Sequence, residues 1–75
     1  MSKLPTISGR EIVKVLVRIG FAIVGRKGSH VRLKRQRGKE ILIVIVPMHR
    51  DLAKGTLRSI LRQANLTVED LNRLL

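Results

Sequence analysis

No cysteine, tryptophan or tyrosine occurs in this chain, and Phe21 is its only aromatic residue. Without cysteine there is neither a disulfide framework nor a thiolate metal site, which fits a reducing cytoplasm. Without aromatics there is no platform of the kind on which single-strand readers usually stack bases; only Arg guanidinium planes remain for that purpose. Acids are scarce too, with five Asp and Glu against sixteen Lys and Arg. The longest apolar run, Ile41 to Val46, is far too short to span a bilayer. The opening segment, Met1 to Ser8, is too short and too polar for a signal peptide. The expectation is a soluble, cytoplasmic protein with no membrane contact. Its 75 residues form one domain, 1–75, near the smallest size at which an apolar core suffices unaided.

What the chain has in excess is positive charge, a net +11. An excess of that size in so small a body suits nucleic acid, an anionic surface or an acidic protein partner. Seven Lys and Arg fall between Arg26 and Lys39, a stretch with no acid. Cations that serve solubility alone are usually interspersed with acids. With no aromatic platform, phosphate and shape contacts are the expected mode of holding a polynucleotide.

Ser8 and Glu11 have the spacing of a capping box. Ile12, Val13, Leu16 and Val17 follow as one apolar stripe, with Gly20 as the helix stop. Phe21 to Val24 reads as a first strand, Gly25 to Ser29 as a turn, and His30 to Arg35 as a second strand. Gln36 to Lys39 is a second turn and Glu40 to Val46 a third strand, ended by Pro47. Turns this short imply an antiparallel meander. The third strand is apolar on both faces, so helices should cover one face and a second copy or a partner chain the other. Leu57, Ile60, Leu61 and Ala64 mark a helix over Lys54–Asn65. Gly55 and Thr56 sit at its start, where free N–H groups favour an anion. Thr67 then caps a short closing helix. The fold class is α+β, with a three-stranded antiparallel sheet and helices on one face.

Residues two apart in a strand share a face, so His30, Arg32 and Lys34 line one side while Val31 and Leu33 line the other. Ser29 and His30 point apart and form no dyad. Two histidines, His30 and His49, without thiols and with isolated carboxylates, make no metal set. The single Gly25-Arg26-Lys27-Gly28 run is too weak to count as a phosphate cradle. What these residue types do allow is metal-free phosphodiester chemistry on RNA, where the 2′-hydroxyl is the nucleophile. The protein then supplies a base, cations over the phosphate oxygens and an acid for the leaving oxygen. His30 is the candidate base, and the alternative is a surface histidine that only donates to phosphate.

Four segments, in order, resemble HicA-type (YcfA-like) toxins, the ribonuclease half of toxin–antitoxin pairs. These are Ser8-Gly9-Arg10-Glu11 with its helix to Ile19-Gly20-Phe21, then Arg26-Lys27-Gly28-Ser29-His30, then Val46-Pro47-Met48-His49, and finally Leu52 to Ala64. The resemblance implies a double-stranded-RNA-binding-domain-like α-β-β-β-α fold and cofactor-independent cleavage of mRNA. It implies His30 as the catalytic residue and a cognate HicB-type antitoxin that covers the active face. Arg26, Lys27, Arg32 and Lys34 are then the expected phosphate binders. Gly28 shapes the turn, and Ser29 either donates to phosphate or satisfies that turn. His49 supplies the acid, holds a phosphate or caps the following helix. Lys54 and Thr56 are RNA contacts or helix-start residues. Two readings compete with the nuclease: a non-catalytic double-stranded-RNA-binding module, and an interaction protein docking an acidic partner.

Overall fold

Ser8 opens the first helix, α1 (Gly9–Arg18), with both halves of the expected box in place. Its Oγ accepts from the Glu11 N–H at 3.0 Å, and the Glu11 carboxylate accepts from the Ser8 N–H at 3.1 Å. The helix stops at a Schellman motif. The Gly20 N–H donates to the Val17 carbonyl and the Phe21 N–H to the Leu16 carbonyl, with Gly20 at φ +105°, a region that glycine enters without steric cost. The structure is a computed structural model and describes residues 3–75.

Three strands follow: β1 (Ala22–Lys27), β2 (His30–Arg37) and β3 (Glu40–Pro47), paired antiparallel in the order β1-β2-β3. The predicted meander is present, but its strand boundaries differ. The predicted Gln36–Lys39 turn shrinks to Gly38-Lys39, because β2 runs on to Arg37, with Gln36 and Arg37 paired to Ile41 and Glu40. Phe21 does not start a strand; it is a buried core residue at the end of the α1 stop. The predicted Gly25–Ser29 turn shrinks to Gly28-Ser29, because β1 runs on to Lys27. A register shift between Ile23 and Gly25 absorbs one residue at Val24, and pairing then continues through Gly25–Arg32, Arg26–Val31 and Lys27–His30. A β-bulge of this kind preserves the ladder on both sides of the extra residue. Pro47 closes β3 as its last paired residue, opposite His30.

The chain then runs through a loop into α2 (Lys54–Gln63) and α3 (Val68–Leu74). Asn65, at φ +58°, ends α2 as Gly20 ends α1: its N–H donates to the Arg62 carbonyl and that of Leu66 to the Leu61 carbonyl. Thr67 caps α3 in a second reciprocal box, with Asp70.

The inner face of the sheet carries Val31, Leu33, Val44 and Val46, all fully buried in one apolar cluster with Ile12 and Leu16 of α1 and Leu57 and Ile60 of α2. Burial of each such side chain contributes about 1.5–3 kcal/mol. The outer face is open. Ile41, Ile43 and Ile45 are 51%, 39% and 43% exposed, so no described residue of this chain supplies the cover expected for that face. This is the double-stranded-RNA-binding-domain-like architecture, with its helices on one face of the sheet. No helix among the described residues is long and apolar enough to cross a membrane.

Candidate nucleic-acid interface

The β1–β2 hairpin is closed by a two-residue loop in which Gly28 adopts φ +58°. Glycine at the first position of such a loop matches the right-handed twist of the flanking strands. A Cβ there meets nothing within 4 Å, so the backbone angle alone favours glycine. The loop is tied to the end of the sheet: the Met48 N–H donates to the Ser29 carbonyl at 2.7 Å. The segment after β3 is therefore anchored to the hairpin tip beside His30.

Antiparallel register converts the sequence into rows across the outer face. The first row is Lys27, His30 and Pro47; the second is Gly25, Arg32 and Ile45; the third is Ala22, Lys34 and Ile43. His30, Arg32 and Lys34 share a face as expected, since Val31 and Leu33 between them are buried. His30 and Arg32 are exposed and Lys34 is half-buried. No hydrogen bond from a described residue reaches the His30 ring. The imidazole is thus presented to solvent within a cationic border.

An open recess of about 770 Å³ covers the second row and the Lys27 and His30 positions of the first. It gathers Arg26, Lys27, Gly28, Ser29, His30 and Arg32, six of the residues marked out by sequence. Lys34 lies one row further along the same face. His49, Lys54 and Thr56 do not line the recess. His49 lies in the loop two residues beyond Pro47, where its carbonyl accepts from the Gly9 N–H at 2.9 Å. Lys54 and Thr56 lie in the first turn of α2, which begins at Ala53 with no side-chain cap.

Three lining residues, Gly25, Val31 and Ile45, are not marked out by sequence; Val31 belongs to the buried core. Gly25 looks like part of a turn until the bulge is known. Ile45 is one residue of a uniform apolar run, and only the register places it beside Arg32. The two tight turns carry that information, since together they fix the pairing of all three strands. No carboxylate lines the recess, and among the described residues no three histidine or carboxylate side chains cluster as a metal site would require.

Comparison with known proteins gives a family match over these elements. The family model described as the HicA toxin of bacterial toxin–antitoxin systems matches residues 9–66, a span from the first residue of α1 to just past the end of α2. A search of curated proteins gave no match.

Proposed function

This chain belongs to the HicA family of toxins from bacterial toxin–antitoxin systems, and from that premise we propose that it is a metal-independent endoribonuclease that cleaves mRNA at His30. As the toxin of such a pair, it has a cognate antitoxin as its partner. The observation that carries the nuclease reading is the row arrangement: an exposed imidazole beside Lys27 and one row from Arg32, on an open sheet face. Lys27, Arg32 and Lys34 hold the phosphates along that face, and Ser29 donates to a phosphate at the hairpin tip. Arg26, which pairs with Val31 off those rows but lines the same recess, is the fourth cation.

In the chemical step the ribose 2′-oxygen attacks the adjacent phosphorus while His30 takes its proton. The bond to the 5′-oxygen breaks, and that oxygen takes a proton from the imidazolium or from water. The products are a 2′,3′-cyclic phosphate and a 5′-hydroxyl, and no cofactor is consumed. Cations held over the non-bridging oxygens stabilise the charge that develops there. His49, Lys54 and Thr56 contact RNA flanking the cleaved linkage. The fold is one domain, and in the absence of RNA the antitoxin, or a second copy, covers the Ile41–Ile43–Ile45 stripe, whose Ile45 end lines the recess.

Incubation of purified protein with single-stranded RNA in the presence of a chelator should yield cyclic-phosphate ends. His30→Ala should slow cleavage by about 10²–10⁴-fold, the usual contribution of a positioned base, while leaving thermal stability unchanged because the ring is exposed. Equal cleavage by both proteins would overturn the assignment. One observation favours the non-catalytic double-stranded-RNA-binding alternative: nothing among the described residues orients the imidazole. That reading expects salt-sensitive binding of duplex RNA and no cleavage by either protein.

A further inference from the structure

Gly25 is an unusual residue for its place. It lies inside β1, where glycine weakens a strand and commonly marks a bulge or a close approach by a ligand. Its φ is not in the positive region that would demand glycine. A Cβ built on it meets nothing within 4 Å, so neither the backbone nor the packing requires it. What glycine does there is leave the outer face flat beside Arg32, within the recess. On the other side of Arg32 the side chain of Ile45 forms an apolar wall, and its exposed edge N–H is held by the Gln63 side-chain oxygen at 3.0 Å.

We propose that the Gly25–Arg32–Ile45 row is a nucleobase subsite, which seats one unpaired base beside the phosphate held at the Lys27–His30 row. The proposal deepens the ribonuclease reading and rests on it. A base is flat and apolar on its faces, and a guanidinium plane is a suitable surface for it when aromatics are lacking. Strand rows two residues apart are separated by roughly 7 Å, within the reach of a single nucleotide from base to phosphate. The floor carries no group that reads a base edge, so the subsite accepts any of the four bases. A base stacked within a duplex cannot enter it; the substrate is therefore RNA with an unpaired nucleotide at the cleaved step.

The test measures binding, with His30→Gln in every protein so that no RNA is cut. Affinity for a short single-stranded RNA is compared with that for a ribose-phosphate strand of equal length lacking bases, at one fixed salt concentration. The His30→Gln protein should prefer the base-bearing strand by about fivefold or more, the low end of what stacking one base contributes. Adding Gly25→Val, which fills the floor, or Ile45→Thr, which removes the wall, should bring that preference close to unity without changing affinity for the base-free strand. Should Gly25→Val fail to fold, Ile45→Thr decides alone, since its side chain is on the exposed face. No preference in the His30→Gln protein, or a preference retained in the folded variants, overturns the proposal. Absence of His30-dependent cleavage would instead defeat the nuclease reading, and it leaves this comparison readable.

Discussion

At Gly9 a methyl group would lie 2.2 Å from the Pro47 carbonyl oxygen and 2.9 Å from the Met48 Cα. Both are backbone atoms with no room to retreat, because the Gly9 N–H is also bound to the His49 carbonyl. Gly9→Ala should therefore destabilise the protein by about 1–3 kcal/mol, as overpacking of a tight contact does. Gly25→Ala, which meets open space, should be neutral or stabilise by up to about 1 kcal/mol through the unfolded chain. Denaturant melts of the two variants check the contrast, and equal effects would refute it. The sequence shows Gly9 only as a residue near a helix start, since its crowding comes from a loop some forty positions away. His30 is different. Its face follows from alternation within one short strand, so it is legible without any tertiary information.

Local punctuation explains which elements could be read from the chain. Both capping boxes, Ser8 with Glu11 and Thr67 with Asp70, lie within four residues, and so does the Gly20 stop. The extent of β1 could not be read in the same way, because the bulge near Val24 depends on the partner strand. The α3 cap also has a pH signature. Hydrogen bonds from the Thr67 backbone and side chain, followed by the neighbouring Arg73 guanidinium, hold the Asp70 carboxyl below its usual value of 3.8. A group lowered on folding contributes stability that is complete above its unfolded value and is lost as the pH falls through the folded one. Asp70→Asn should thus lower the melting temperature at neutral pH, and the gap from the parent should close below 3.8. A gap that stays constant down to a pH of about 2.5 would show that the carboxylate charge is not what the cap uses.

At the scale of the whole molecule, a cationic stripe, His30–Arg32–Lys34, lies beside an apolar stripe, Ile45–Ile43–Ile41, on one uncovered sheet face. The doubly apolar third strand and the acid-free basic stretch both foretell that face; its recess depends on register and on a missing side chain, which composition does not reveal. A net charge of +11 raises a sharper question: whether RNA is held by the total charge or by this face. Counterion release distinguishes the two, since each phosphate neutralised on a single strand contributes about −0.7 to the slope of log affinity against log salt. Four contacts, from Arg26, Lys27, Arg32 and Lys34, give a slope of about −2.8. Arg32→Gln should make that slope shallower by about 0.7. Lys14→Gln removes the same charge from the exposed side of α1, a helix packed on the opposite face of the sheet, and should leave the slope unaltered. If the two substitutions change the slope equally, the RNA is responding to net charge, and the outer face loses its claim as the binding surface.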